Sequence, residues 1–273
     1  VDVDTMRPLL RKYLANLPGK GHADQIQPEY PLPKRGIRKK EIFVGKDNKA
    51  SVRIIFNGAF NYTEEESLRF TLLTDILRLR LIESLREERQ LIYASGISSQ
   101  LFPIAGGRYQ LAFILPCAAE QTDAVVSALF QEIQRLQKDP PSMAELNQVK
   151  KAWTQLHKER LQDDDYWARQ LLESKLTTPT ARLLFAPEKL LKTISPESVR
   201  VAANNYLDQE NYVQLIAKPE NLAVTEQPEI QEYKKITPGD LGLAQLKDAF
   251  LHAAGPTRNF TQSYRLALRV ALH

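Results

Sequence analysis

The sequence predicts an α+β fold in which a mainly antiparallel sheet is covered by helices on one face. Short segments rich in β-branched and aromatic residues follow one another through turns, as antiparallel strands do. Longer segments carry a single apolar stripe at spacings of three and four residues, which is typical of helices that pack on a sheet. Residues 41–219 are therefore predicted to form one α+β unit.

The composition is that of an ordinary globular chain. Its 273 residues are 43% hydrophobic and 26% charged, with a formal net charge of +4, so the chain is long enough to bury a sizeable core. The basic run at 34–40 lies beside Pro28, Pro31 and Pro33 without interleaved aromatic residues. We interpret it as a solvated linker, and nucleic acid is the lowest-ranked partner. No apolar run is long enough to span a bilayer, and no signal peptide is recognisable.

The cysteine count and the first residue of the chain each support an inference. Cys117 is the only cysteine, which excludes an internal disulfide and a thiolate metal cluster. The first residue is Val1, so we expect a piece of a longer protein from which any targeting signal has been removed. Residues 1–18 are predicted to be a strand end and a short helix capped near Asp4, and 19–40 a Pro-rich and Gly-rich connector.

The first half of the unit is predicted to contain four strands and one long helix. Strands are expected at 41–45 and 50–58, joined by a hairpin turn at 46–49, and again at 92–102 and 108–115 with a β-turn at Gly106-Gly107. The helix at 64–90 has a capping box of Thr63 and Glu66. Its apolar stripe is Leu68, Leu72, Ile76, Leu79, Ile82 and Leu85.

The second half is predicted to be helical until a last strand at 212–217. The helices are expected at about 120–138, at 143–162 behind a capping box of Ser142 and Glu145, around Trp167, and from Ser195-Pro196 to Tyr206. Their inward residues are Val125, Val126, Leu129, Ile133 and Leu136, then Leu146, Val149, Trp153 and Leu156. The three aspartates at 163–165 are interpreted as a solvated corner, because no second oxygen cluster has cation-binding spacing.

The residues that bear chemistry do not form a self-contained enzyme. The four histidines are His22, His157, His252 and His273, and they are too scattered to form a zinc-ligand pair. His157 lies in a charged helical stretch and is predicted to be exposed. There is no Gly-x-Ser-x-Gly elbow. Cys117 has no histidine near it in sequence, although a partner close in space stays open.

Arg86 and Tyr93 lie on either side of a change in chain character. Arg86 falls in the last turn of the helix at 64–90, and Tyr93 on the predicted strand that follows. From the pattern alone, Arg86 compensates the helix dipole and pairs with Glu83, Glu87 or Glu88.

Residues 1–219 resemble the pitrilysin/insulinase-type zinc metallopeptidase family, and more narrowly the C-terminal region of its bacterial probable zinc proteases. The matching segments occur in the family's order: VDVDTMRPLLRKYLANLP, a Pro-rich connector, ASVRIIFNGAF, LTDILRLRLIESLREERQLIYAS, GGRYQLAFILPC and PPSMAELNQVKKAW. The helix exit, with Leu85-Arg86-Glu87-Glu88 and then Leu91-Ile92-Tyr93, is the most specific of them.

The resemblance implies a processing-peptidase-like α/β sandwich unit, one of several repeated units that form two halves around a chamber. An inverted HxxEH helix in an early unit holds zinc, and a later unit contributes an arginine and a tyrosine that match Arg86 and Tyr93. Their implied roles are substrate binding and oxyanion stabilisation. Residues 1–18 are then the end of a preceding unit, and 220–273 are a C-terminal extension of unknown role, with amphipathic helices expected from Asp240 and from Asn259.

This chain departs from the family by having no HxxEH. We therefore expect it to hold no metal, the zinc being bound by a missing N-terminal part. Alone it would be an inactive part of a zinc metalloendopeptidase, with a peptide or unfolded protein as substrate and the N-terminal half as partner. The alternative is a non-catalytic scaffold or binding module of the same fold family. The resemblance suggests the bacterial periplasm, with the cytoplasm as the alternative.

Overall fold

The computed structural model describes residues 2–17, 34–103, 107–177 and 182–220. Most of the predicted connector, and the helices predicted from Asp240 and Asn259, lie outside these ranges. One five-stranded sheet has the order β1-β5-β2-β4-β3. Its strands are β1 (Arg38–Phe43), β2 (Lys49–Ala59), β3 (Gly96–Phe102), β4 (Arg108–Ala118) and β5 (Tyr212–Lys218). All neighbours run antiparallel except β1 and β5, which are parallel.

Eight α-helices are assigned within the described ranges. They are α1 (Val3–Tyr13), α2 (Glu64–Leu81), α3 (Thr122–Lys138), α4 (Met143–Arg160), α5 (Asp164–Thr177), α6 (Arg182–Phe185), α7 (Pro187–Thr193) and α8 (Pro196–Tyr206). A π-helix at Ile82–Glu88 extends α2, and a 3₁₀ turn at Ala119–Gln121 precedes α3. The side chain of Asp2 caps α1, two residues before the predicted cap at Asp4, and no strand precedes α1 in the described part. None of these helices is long and apolar enough to cross a bilayer.

The sheet has one covered face and one uncovered face. Along β2, Val52, Ile54 and Phe56 are fully buried, while the residues between them are only half-buried. The buried set joins side chains of α2, α3 and α8 in one hydrophobic core. No residue that faces the other way in the sheet belongs to that core. We call that second side the open face. The predicted fold class, with helices on one face of a mainly antiparallel sheet, is confirmed.

The predicted hairpin between the first two strands is wrong. Although β1 and β2 are joined by a short turn, β5 lies between them and pairs with both. Burial explains the order. β1 has no buried residue and so takes the edge of the sheet, whereas β5 contributes Tyr212 and Ile216 to the core. A non-local contact of this kind leaves no signal in the turn.

α2 is the central helix of the covering layer. The hydroxyl oxygen of Thr63 accepts a hydrogen bond from the Glu66 N–H at 3.1 Å, as predicted. The Glu66 carboxylate does not bond back to the cap. It accepts a 2.6 Å hydrogen bond from the Tyr206 hydroxyl of α8 and pairs with Arg69. Glu66 therefore ties α2 to α8.

α4 shows both a confirmed prediction and an error in helix phase. The Ser142 and Glu145 capping box forms as predicted. At the other end Leu156, predicted to face inward, is 44% exposed, and His157, predicted to be exposed, is only 4% exposed. The apolar stripe continues from Trp153 by four residues to His157, whose ring stacks on the Trp153 ring at 4.9 Å. One residue along a helix turns the side chain by about 100°.

Candidate functional site

Arg86 lies in a π-helix. At Ile82 the α-helical turns of α2 widen into π turns, which continue to Glu88. Such turns are rare and occur often at functional sites. The side chain of Arg86 is exposed in the last turn, where the sequence predicts it, whereas the adjacent Leu85 is fully buried. The apolar periodicity of this stretch gives no sign of the wider turn.

The end of the π-helix is closed by a backbone bond. Gln90 adopts φ +51°, a left-handed conformation that non-glycine residues seldom take, and the Leu91 N–H then donates to the Leu85 carbonyl at 2.8 Å. In an ordinary α-helical cap of this type the N–H donates to the carbonyl five residues earlier, whereas the Leu91 N–H donates to the carbonyl six residues earlier. The longer ring follows from the π turn before it. Arg86 thus lies inside a ring closed between Leu85 and Leu91.

Tyr93 lies in the loop that leads to β3, not on the strand. The strand predicted at 92–102 begins at Gly96, because the chain is still closing the helix end at Leu91. The Tyr93 backbone is nevertheless attached to the sheet, since its N–H donates to the Pro116 carbonyl of β4 at 2.9 Å. Ile92 is buried, while Tyr93 is 58% exposed. The sheet and the core therefore hold its backbone and leave its ring in solvent.

Neither polar side chain is used within the described part of the molecule. Arg86 forms no ion pair or hydrogen bond there, so the alternative pairing with Glu83, Glu87 or Glu88 is not formed. The Tyr93 hydroxyl likewise has no hydrogen-bond partner among the described residues. We call residues 82–93, the π-helix and the loop after it, the junction. Both side chains lie at its surface, with their donors available to other partners.

An ion pair supports the start of this junction. Arg80, at the end of α2, donates from Nε to the Glu145 carboxylate at 2.7 Å and from Nη2 at 3.3 Å. Burial opposes the ionisation of Glu145, but hydrogen bonds from Arg80 and Ser142 outweigh it and lower its pKa to about 2. The carboxylate is therefore charged at neutral pH. It fixes the N-terminus of α4 to the turn before the π-helix.

The other candidate groups do not form a reactive or metal-binding site. Burial, followed by repulsion from Glu120, raises the pKa of the Cys117 thiol to about 11, so it is not a thiolate at neutral pH. His157 is buried with its Nδ1 3.0 Å from the Tyr166 hydroxyl. In the ranges that the structure covers, no three His, Cys, Asp or Glu side chains converge on a metal position. These residues therefore do not fit a zinc ion within the described ranges.

A family model decides the classification of the chain. The model described as the peptidase M16 inactive domain matches residues 1–153, more than half of the sequence. The chain belongs to the peptidase M16 family. The match includes the π-helix, Arg86 and Tyr93. The predicted resemblance to the C-terminal region of an insulinase-type protease is thereby confirmed.

Three solved structures of proteases and a peptidase domain share the fold at low identity. The ferredoxin protease FusC, solved in complex with Arabidopsis ferredoxin, is 20% identical with a TM-score of 0.66, over 81% of this chain and 24% of that one. The periplasmic protease PqqL from Escherichia coli gives 16% and 0.67, over 80% and 24%. A peptidase M16 inactive domain from Pseudomonas fluorescens gives 20% and 0.62, over 84% and 53%. At these identities the likeness shows the fold alone.

The present chain spans between about a quarter and about half of the length of these three M16 structures. No curated protein matches it.

Proposed function

We propose that this chain is the C-terminal, non-zinc-binding part of a zinc metalloendopeptidase, and that Arg86 and Tyr93 bind the peptide substrate and stabilise the transition state. One observation carries the proposal. The side chains of Arg86 and Tyr93 are exposed, have no partner among the described residues and project from a single junction. Hydrogen bonds between Leu85 and Leu91 and between Tyr93 and Pro116 hold the backbone of this junction.

The chemistry of these groups suits an attacked peptide carbonyl. Its oxygen gains negative charge when water adds to the carbon, and donors already aimed at that oxygen lower the barrier. A phenol supplies one O–H, and a guanidinium supplies several N–H donors in a fixed plane, which also suit the backbone carbonyls of a peptide. In this proposal the metal, the attacking water and the general base belong to the rest of the protein.

The proposed substrate is a peptide or an unfolded protein, and the proposed partner is the N-terminal half of the same protein. The ferredoxin bound to FusC supports a protein substrate, and the partial coverage of the M16 structures supports a missing half. In this scheme residues 1–18 end a preceding unit, 41–219 form the C-terminal unit, and 220–273 are an extension. A bacterial periplasmic location is supported by the likeness to PqqL.

The test uses the longer protein with the single change Tyr93→Phe. Loss of one donor to a developing oxyanion lowers turnover by roughly a hundredfold, and the change removes only an exposed hydroxyl, so zinc content and melting temperature should stay the same. Tyr13→Phe is the matched control, because Tyr13 is also exposed and lies on a different element, α1. Turnover by Tyr93→Phe equal to that of the control would remove the assigned role.

A second change separates geometry from charge at the other residue. Arg86→Lys keeps the positive charge but loses the planar set of donors, so we expect kcat/KM to fall while zinc content stays constant. A non-catalytic scaffold of the same fold is the competing function. It predicts that the longer protein has no HxxEH and cleaves no peptide, and that neither variant changes any rate.

A further inference from the structure

The strand residues of the open face include five basic side chains and no acidic one. The strand register assigns residues to this face, because side chains paired across neighbouring strands point to the same side. The basic residues of the five strands on this side are Arg38, Lys40, Lys49, Arg53 and Arg108. The covered side of the same strands includes Glu41, so the absence of carboxylates concerns only the open face.

Arg53 is the centre of this charge distribution. One row across the sheet runs Lys40, Leu215, Arg53, Ile114 and Gly96. Arg53 lies on the middle strand between Leu215 and Ile114, which are half-buried. It forms no ion pair or hydrogen bond to any other described residue. Apolar neighbours reduce the water around a guanidinium and strengthen its attraction for an incoming carboxylate.

The open face ends beside Tyr93. The Pro116 carbonyl that accepts the Tyr93 N–H belongs to a residue of this face, and Pro116 pairs with Ser51, two positions from Arg53 along β2. Two residues along a strand span about 7 Å. A substrate peptide held at the Tyr93 backbone therefore needs only a few extended residues to reach Arg53.

We propose that the open face binds an acidic segment of the substrate, with Arg53 and Lys40 pairing with its Asp or Glu carboxylates. This inference rests on the proposed function, because it assigns a substrate class to the same site. Arg53 presents two parallel N–H donors to one carboxylate, and Lys40 adds a second positive charge on the edge strand. The row through Arg53 contains no aromatic residue for stacking of bases, so the face suits a carboxylate-rich peptide better than a single-stranded nucleic acid.

The test compares two quenched-fluorescent peptides in the longer protein. Both are built on a cleavage site found in a digest of an unfolded protein, one with three Glu beside the scissile bond and the other with three Gln. The double variant Arg53→Gln, Lys40→Gln should raise KM for the Glu peptide roughly tenfold and leave kcat unchanged, while KM for the Gln peptide stays constant. Salt at 1 M should abolish the difference between the peptides.

Lys39→Gln is the matched control. Lys39 is exposed, adjoins Lys40 on β1 and pairs with Gln214, so Lys39→Gln removes one positive charge from the opposite side of the strand and is compared with Lys40→Gln alone. An equal rise in KM with this variant, or an equal rise for both peptides, overturns the proposal. Variants that change the oligomeric state or the association with the N-terminal half also overturn it, because the face then contacts protein of the same kind. Competition by single-stranded DNA stronger than by the Glu peptide overturns it as well.

A binding measurement separates this inference from the proposed function. If the longer protein cleaves neither peptide, the proposed function fails. Fluorescence anisotropy of the labelled Glu and Gln peptides with the same protein then judges the open face. Tighter binding of the Glu peptide that Arg53→Gln weakens supports the acidic site, and equal affinities overturn it.

Discussion

Gly107 occupies a backbone position that strongly favours glycine over any residue with a Cβ atom. It has φ +66°, its carbonyl accepts the Phe60 N–H at 2.7 Å, and a Cβ atom added to it would lie 2.3 Å from the Phe60 carbonyl oxygen. Gly107→Ala should therefore lower the free energy of unfolding by about 3 kcal/mol, through the left-handed conformation and the clash together. Urea unfolding of the chain measures this loss.

Gly45→Ala is the control for that prediction. Gly45 has φ +88° with no atom within 4 Å of an added Cβ, so only the conformational term applies and the loss should be about 1 kcal/mol. Equal losses for the two variants would show that the segment around Phe60 and Gly107 relaxes without penalty.

The identity of the candidate site residues was available from the sequence, but their environment was not. Arg86 and Tyr93 were found from the motif around the helix exit, and both are exposed, while their roles stay a prediction. The π turns and the left-handed Gln90 were not predicted, because no glycine or proline marks them. A glycine in the sequence marks a backbone position that can be left-handed, whereas Gln90 and the residues of the π-helix give no such local signal.

At the scale of helices and strands, the capping residues and the antiparallel pair of β3 and β4 were predicted, whereas the neighbour of β1 was not. Thr63 and Ser142 cap the helices that the sequence assigned to them, since capping depends on residues three positions apart. The place of β5 between β1 and β2 depends on residues more than 150 positions away. The composition of a single strand predicts only how buried that strand is. The order of the strands in the sheet depends on the relative burial of all five.

The α4–α5 corner should make the stability of the chain depend on pH. Burial lowers the pKa of His157, and the Leu184 backbone and Glu188 oppose this effect only in part, while Arg160 adds to it. The Tyr166 hydroxyl and the Trp153 ring occupy the remaining sides. The unfolded chain, in which the histidine pKa is about 6.5, then binds a proton more readily than the folded chain. This contribution to stability is present above that pH and is lost as the pH falls towards the folded pKa.

Urea unfolding at pH 7.5 and pH 5 measures the effect. His157→Gln should be less stable than the parent chain at pH 7.5, by about 1–2 kcal/mol, because the stacking on Trp153 is lost. It should also show a smaller fall in stability between the two pH values, since the group that gains a proton on unfolding is absent. The comparison removes the common contribution of the other three histidines. A parallel fall in both proteins would mean that His157 is readily protonated in the folded state.

At the scale of the whole molecule, the described part of the chain presents a candidate binding surface and no set of converging metal ligands. The covered face of the sheet is used for folding, and the open face and the π-helix junction meet beside Pro116. A metal ligand set would need several side chains converging on one point, and in the described ranges none does. In the proposed function, the residues that contact the substrate and those that bind the zinc therefore belong to different parts of the longer protein.

The chain of residues 1–273, purified alone, should contain no stoichiometric zinc and should melt at the same temperature with and without a chelator. A metal that binds the folded state adds stability in proportion to the logarithm of its concentration over Kd, so an unchanged melting temperature reports that no such site exists. Cys117 is protonated and buried, and His157 is buried beside Tyr166, so neither belongs to a converging set of ligands in the described ranges. The longer protein should lose peptidase activity in the same chelator and regain it with added zinc. Zinc at one equivalent in the isolated chain, measured by atomic absorption, would assign metal binding to this half and contradict the division of roles proposed for Arg86 and Tyr93.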